Sequence, residues 1–267
     1  MSKIAQSHTF TANGINAGYD NRLIIEDMNL SIPAGKFSVL IGPNGCGKST
    51  LLKSFARLLA PSKGNILLDG KPICELPTRQ LAKKVGLLPQ SPIVPAGITV
   101  ADLVARGRFP YQNLFGQLSK TDYEAISYAM CAMGITDLAD KQVDSLSGGQ
   151  RQRVWIALAL AQDTDILLLD EPTTYLDIAY QVEILDCLAR LNREKKVTIV
   201  AILHDINLSI RYADHIFAMN KGKLVANGSP KDIITSDLMH EIYGMESSII
   251  LDPETGDPYV IPRSKVS

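Results

Sequence analysis

The sequence is short of cysteine, of net charge and of long apolar runs, and each shortage removes a class of protein. Its four cysteines, Cys46, Cys74, Cys131 and Cys187, are scattered with no Cys-x-x-Cys pair. That argues against a disulfide scaffold or a zinc site and fits reduced thiols. Lys and Arg number 27 against 28 Asp and Glu, a net charge of −1. No chain-wide basic field exists, so no nucleic-acid partner is expected. The longest apolar runs, "ILLLD" and "VTIVAIL", are far too short to span a bilayer and read as buried strands. The opening "MSKIAQSHTFTANG" lacks the apolar centre of a signal peptide. The expectation is a soluble chain whose link to any membrane goes through a partner. No internal repeat, heptad pattern or low-complexity tract is present.

What remains is a chain of 267 residues, enough for one large domain or two intimate subdomains around a sizeable core. Its first third reads as strands and turns. "HTFTANGINAGYD" and "LIIEDMNLSIPAGK" carry the Gly, Asn and Pro punctuation of antiparallel hairpins. "FSVLIG" is a continuous apolar run, followed by a Gly-rich loop and the helical spacing of "CGKSTLLKSFARLL", which predicts strand, loop and helix. "GNILLDGKPI" predicts a further hairpin, and "RQLAKKVGLLPQ" a short helix and a strand. From about residue 91 to 163 strand candidates vanish and helices take over, with Thr99 as an N-cap. Strand–helix alternation then resumes, which argues for a mostly parallel sheet covered by helices. The tail "ESSIILDPETGDPYVIP" reads as two short strands around a turn.

The loop Gly42-Pro43-Asn44-Gly45-Cys46-Gly47-Lys48-Ser49 matches G-x-x-x-x-G-K-[ST]. Its glycines let backbone N–H groups curl around an anion, the helix start adds its dipole, and Lys48 reaches the β- and γ-phosphates of a nucleotide. Ser49 offers a hydroxyl to Mg²⁺ and Thr50 one to the α-phosphate. "ILLLDE" pushes Asp170 out of the carboxyl edge of the sheet, where ligands of open α/β sheets bind. There Asp170 suits Mg²⁺ held through water, and Glu171 suits the acceptance of a proton from attacking water. His204, after "VTIVAIL", should emerge at the same edge, as a γ-phosphate contact or as a structural histidine. Gln90, ending "VGLLPQ", belongs at an equivalent edge, to orient water or ligate Mg²⁺.

A second glycine turn, "LSGGQRQR" from Leu146, repeats the physics of the first. Ser147 is a natural N-cap, Gly148 and Gly149 permit close backbone approach, and the helix start presents amides. A plain capped helix is the alternative reading, since Ser-Gly-Gly is a common helix start. The ordered set "GPNGCGKST", Gln90, "LSGGQRQR", "ILLLDEP", "YLD" and His204 resembles the ATP-binding subunit of ABC transporters, over essentially the whole chain. More narrowly, "PNGCGKSTLLKSFARLLAPSKG", "LLPQ", "GITVADLVARGRFPY" and "DEPTTYLDIAYQVEILD" are similar to the ATPases of bacterial iron–siderophore importers of the ferric citrate, ferrichrome and catecholate type. Haem, cobalamin and metal-ion importers stand as alternative cargoes, and a soluble non-transport ABC ATPase as an alternative class.

The resemblance implies an α/β fold: a P-loop NTPase (RecA-like) core with a mostly parallel sheet, an N-terminal antiparallel β subdomain and an inserted α-helical subdomain. Residues 1–267 would form a single ABC ATPase domain. Within it, 1–90 and 164–245 would be the core with its antiparallel subdomain, 91–163 the helical subdomain and 246–267 a tail. The implied substrate is ATP with Mg²⁺ held by Ser49, Gln90 and Asp170. Lys48, Glu171 and His204 would serve catalysis, and Gly42 to Thr50 would bind phosphate. Tyr19 would stack on adenine. Two copies would pair head to tail, with Ser147, Gly148, Gly149, Gln150 and Asp177 of one reaching the ATP held by the other. Many members have Ser where this chain has Tyr175. "SPIVPAGITV" after Gln90 would sense the γ-phosphate, and "ARGRFPYQNLFG" (105–116) would dock on membrane permease subunits, or else be a surface loop. A periplasmic or lipoprotein siderophore-binding protein would act upstream, and the chain would lie on the cytoplasmic face of the inner membrane.

Overall fold

Two kinds of strand occur in this protein, and their burial separates them. β1 (Phe10–Tyr19) and β2 (Arg22–Ile32) mix buried and open positions, as antiparallel strands with one covered face do. β3 (Phe37–Ile41) is buried at every position, as a strand covered on both faces must be. The structure, a computed structural model, describes residues 4–20, 22–90, 94, 96–112, 116–174 and 176–265. The chain divides into two compact units. The discontinuous unit is Ser7–Glu75 with the chain from Thr198 onward; the inserted unit is Leu76–Val197 with the chain up to Gln6.

In the discontinuous unit β1 pairs antiparallel with β2 and with β4 (Lys63–Leu68), and β5 (Lys71–Pro72) extends the sheet beyond β4. A register slip between Ala12 and Ile15 inserts one extra residue. The inward set therefore changes parity, from Phe10 and Ala12 to Ile15 and Ala17, all buried. Helix α1 (Lys48–Phe55) follows β3, and Phe55 meets Phe10 of β1 edge-on, ring centroids 4.7 Å apart. Such a pair adds about 1 kcal/mol beyond its buried area.

The inserted unit begins with α2 (Thr78–Ala82) and β6 (Val85–Leu88). Helices follow: α3 (Val100–Ala105), α4 (Lys120–Ala132) and α5 (Gly148–Ala161). Thr99 caps α3 by accepting from the Asp102 amide, and Ser119 and Asp122 cap α4 reciprocally. Between β6 and β7 (Ile166–Asp170) the described residues form no strand, only one bridge between Thr99 and Gln142. β6 and β7 pair in parallel, Leu88 beside Leu169, and α6 (Ile178–Lys195) closes the unit.

On the return to the discontinuous unit, β8 (Thr198–Ile202) pairs in parallel with β3, Ile202 beside Leu40. α7 (Ile206–Tyr212) leads to β9 (His215–Asn220), parallel to β3 on its other side. β10 (Lys223–Gly228) turns back antiparallel on β9. α8 (Pro230–Ile233) and α9 (Ser236–Tyr243) precede the hairpin of β11 (Met245–Leu251) and β12 (Pro258–Lys265). The tail is thus the expected pair of strands, and the architecture is the expected α/β one. No helix among the described residues is long and apolar enough to cross a membrane.

Candidate functional site

The phosphate loop grows out of β3. Gly42, Gly45 and Gly47 stand at φ 144°, 78° and 104°, a backbone region that side chains penalise. At Gly42 space forbids a side chain as well, since a Cβ there would lie 2.1 Å from the Met219 carbonyl oxygen. The loop hands over to α1 at Gly47, which brings no side-chain cap, and the first turn of α1 holds no acidic residue. Among the described helices of eight residues or more, α1 alone starts uncapped; Ser119, Ser147, Asp177 and Thr235 cap the others. Its first amides and its dipole are therefore directed at the loop, as an anion site requires. Lys48 is 6% exposed and its Nζ donates to the carbonyls of Gly42 (2.8 Å) and Pro43 (3.1 Å). Burial pushes the Cys46 thiol up from its ordinary pKa although Lys48 pulls the other way, so Cys46 stays an uncharged part of the loop wall.

Two other expected residues lie in the same unit. β8 and β3 run in parallel, so His204, exposed just beyond β8, leaves at the same sheet edge as the phosphate loop. Tyr19 ends β1 and is 42% exposed. Lys53 of α1 holds its ammonium 6.0 Å from that ring, which sets the tyrosine beside the helix that the loop opens.

In the inserted unit the parallel pairing of β6 and β7 brings Gln90 and Glu171 to one edge. Gln90 Nε2 donates to Glu171 Oε2 at 2.7 Å, and Thr174 Oγ1 donates to the same oxygen at 3.0 Å. Asp170, the last residue of β7, is 2% exposed. Glu171 itself stands at φ 55°, a left-handed conformation that costs a side-chain-bearing residue about 1–2 kcal/mol. A carboxylate with fixed orientation results, one suited to receiving a proton.

The second glycine turn belongs to the same unit. Ser147 Oγ accepts from the Gln150 amide at 3.3 Å, while Gln150 Oε1 accepts from the Ser147 amide at 3.2 Å, a reciprocal cap. The amides of Gly148 and Gly149 are what such a cap leaves over. A Cβ at Gly148 would meet nothing within 4 Å, and one at Gly149 only Leu176 Cδ2 at 3.5 Å. Neither glycine is demanded by packing. Asp177, expected as a contact to a second copy, caps α6 by accepting from the Tyr180 amide at 3.1 Å. Ser147, Gly149, Gln150, Arg153, Asp177 and Tyr180 line one open cavity, so four of the five residues expected to face the partner's nucleotide, Gly148 excepted, line one surface. Tyr175, residues 91–93 and 95 of "SPIVPAGITV", and residues 113–115 of "ARGRFPYQNLFG" lie outside the described residues.

Three side chains at these sites were not singled out from the sequence. Thr174 joins Glu171 from three residues on, a local relation that the "DEPTT" spacing allowed. Gln152 Nε2 donates to the Pro172 carbonyl at 2.7 Å and so ties α5 to the segment after Glu171. Tyr243 accepts the Gly42 N–H at 3.1 Å from 201 residues away, and no local pattern marks it.

A family profile described as "ABC transporter" matches residues 25–174. The chain is 50% identical over 253 residues to the ferric enterobactin transport ATP-binding protein FepC of Escherichia coli, covering 95% of this chain and 93% of that one. It is 51% identical over 251 residues to the probable siderophore transport system ATP-binding protein YusV of Bacillus subtilis, covering 94% and 91%. Among solved structures, an inward-facing metal-chelate type ABC transporter superposes with a TM-score of 0.82 at 28% identity, covering 97% of this chain and 98% of that one. A dimeric ATP-binding cassette in a post-hydrolysis state, bound to ADP and Pi, gives 0.73 at 27% identity, covering 82% and 98%. With the profile over more than half of the chain and identity at half of all positions to these relatives, the chain belongs to the ABC transporter family as one of its ATP-binding, ATP-hydrolysing members.

Proposed function

We propose that this chain is the ATPase subunit of an importer for iron(III)–siderophore complexes, working as a pair of copies on separate permease subunits at the cytoplasmic face of the membrane. The observation that carries the cargo is identity at half of all positions, over more than nine tenths of the chain, to FepC, named for ferric enterobactin transport, and YusV, named for probable siderophore transport. For the chemistry, Lys48 and the loop amides neutralise the β- and γ-phosphates. Glu171 accepts the proton of the water whose oxygen bonds to the γ-phosphorus as the bond to the bridging oxygen breaks. His204 supports the γ-phosphate, and Tyr19 offers its exposed ring to adenine. Ser147, Gly148 and Gly149 of the second copy complete the site, with Gln150 and Asp177 shaping that surface. ATP then binds the two copies together, and its hydrolysis loosens them.

Among the described residues no group of three or more His, Cys, Asp or Glu side chains is gathered for a metal. Mg²⁺ needs none, because it takes one or two protein oxygens alongside phosphate and water. Ser49 and Gln90 would supply two oxygens of that kind and Asp170 would hold the ion through water, and the ion would neutralise phosphate charge. The permease surface is read from a groove lined by Thr78, Arg79, Ala82, Phe109, Pro110 and Gln112. Phe109 is 76% exposed, and Arg79 Nε holds the Pro110 carbonyl at 2.7 Å, so an apolar face is presented on a fixed support.

Uptake of ⁵⁵Fe-loaded siderophores by cells with and without this gene tests the cargo; loss of uptake restored by the gene is expected, and unchanged uptake of every siderophore overturns it. Glu171→Gln tests the pairing. The variant should bind ATP, hydrolyse it at least about a hundredfold more slowly, and elute at twice the chain's mass with ATP present. Normal turnover by this variant removes Glu171 as the base.

A further inference from the structure

The C-terminal part of the chain reaches the nucleotide end of the fold at one point. Tyr243 is the last residue of α9, and its hydroxyl accepts the N–H of Gly42, the first residue of the phosphate loop, at 3.1 Å. Gly42 carries a second bond on its other side, where its carbonyl accepts from Lys48 Nζ at 2.8 Å. One residue thus connects the phenol of α9 to the ammonium that meets the phosphates. It is also the residue of the loop with the most demanding backbone, at φ 144° and pressed against the Met219 carbonyl.

The tyrosine is itself held. Leu238, Met239 and Ile242 of α9 are buried, the Glu241 carbonyl accepts from Asn220 Nδ2 at the end of β9 at 2.8 Å, and Gly244 caps the helix at φ 61°. Burial pushes the phenol up to about 12, so the hydroxyl stays neutral at any working pH and sets no anion beside the loop. From the other side the Cys46 carbonyl accepts the Gly222 amide at 3.0 Å. The loop is therefore braced by α9 at its start and by the β9–β10 turn at its middle.

Resting on the reading of Gly42 to Thr50 as the phosphate loop, we propose that Tyr243 is a positioning residue for ATP binding: its hydroxyl fixes Gly42, and through Gly42 the carbonyl that aims Lys48. The C-terminal segment then belongs to the nucleotide site and is not merely an appendage to it. A brace of this kind acts on the ground state and the transition state alike, so its loss raises KM and spares kcat.

The test is Tyr243→Phe, which keeps the ring and removes the oxygen. ATP affinity of the purified chain should fall about tenfold, the scale of one lost hydrogen bond with its amide left unmatched. The kcat should stay within about twofold. Hydrogen exchange of the Gly42 amide, read without nucleotide, should accelerate while amides of β3 stay protected. Unchanged ATP affinity overturns the proposal. So does a variant whose melting temperature drops while its remaining folded fraction binds ATP normally, because the hydroxyl is then only a structural contact. Lys48→Ala separates the two readings: if it too binds and turns over ATP normally, the phosphate-loop assignment fails; if it is inactive and Tyr243→Phe is normal, only the role of Tyr243 fails.

Discussion

Helix α1 starts in a loop of three glycines at positive φ and brings no side-chain cap, whereas α5 starts with Ser147 and Gln150 capping each other and two glycines in ordinary helical backbone. In sequence the two turns promise the same physics. In the structure they divide the labour. The first loop needs its glycines to exist at all, because Gly42 has no room for a Cβ and Gly47 hands the chain to the helix at φ 104°. The second is already a finished helix start, and open space surrounds the position where a Gly148 side chain would stand. What glycine offers there is bareness toward something arriving from outside. On the proposed pairing of two copies, a γ-phosphate carried by the second would be such a visitor.

The largest expected effect concerns the first loop. Lys48→Ala should reduce phosphate release by about a thousandfold or more, the scale of losing a charged group aimed at a transition state. Its melting temperature without nucleotide should fall by a few degrees at most, because the shortened side chain takes the ammonium away from only two carbonyls, the buried one of Gly42 and the part-buried one of Pro43. Retained turnover would break the comparison at its stronger end.

A third helix start supplies the structural control. α4 has the same kind of reciprocal cap as α5, from Ser119 and Asp122, but no glycine, and Arg108 Nε meets Asp122 Oδ1 at 2.8 Å with both side chains buried. Asp122→Ala should cost about 3–5 kcal/mol by stranding the Arg108 charge, read by urea unfolding. It should slow turnover per folded molecule far less than Lys48→Ala does. The pH dependence has a fixed sign. Burial alone would raise the Asp122 carboxyl, but the Ser119 hydroxyl and amide and the Arg108 guanidinium outweigh it and hold the pKa below its ordinary value. The pair's stabilisation is therefore complete above about pH 5 and is lost as pH falls below about 4 through the folded pKa. Asp122→Asn should flatten that acid limb of the stability curve.

The smallest expected effect is also the most discriminating. Gly148→Ala fits the structure without a clash, and alanine favours a helix over glycine by up to about 1 kcal/mol. Stability should stay level or rise while ATP turnover by paired copies falls about a hundredfold, the cost of holding reacting groups roughly 1 Å too far apart. A variant that is both less stable and less active would show that the fold itself wants this glycine, and the contrast between the two turns would lose its meaning.

Much of the molecule was legible along the chain because the relevant forces are local. An apolar run such as "FSVLI" predicts a strand buried on both faces, Thr99 and Ser147 sit one residue before helical spacing begins, and both cap as expected. The capping role of Asp177 was equally local but was overshadowed by its expected contact with a second copy. The absent cap at Gly47 was not legible, since a Gly-Lys-Ser sequence gives no sign of whether a neighbouring side chain will turn back to it.

By itself, then, the sequence determined the order of elements, the glycine backbone of the phosphate loop and the two carboxylates at and just beyond the end of β7. Each of these depends on residue period, on φ or on reach within one helical turn. Only the tertiary structure decided that Gln90 and Thr174 share one oxygen of Glu171, that Asp177 lines the same cavity as Ser147, and that Tyr243 holds Gly42. Gln90 is 81 residues from Glu171 and Tyr243 is 201 from Gly42. Contacts at such separations follow from which strand lies beside which and in what register, a choice made by the whole core and by no segment alone.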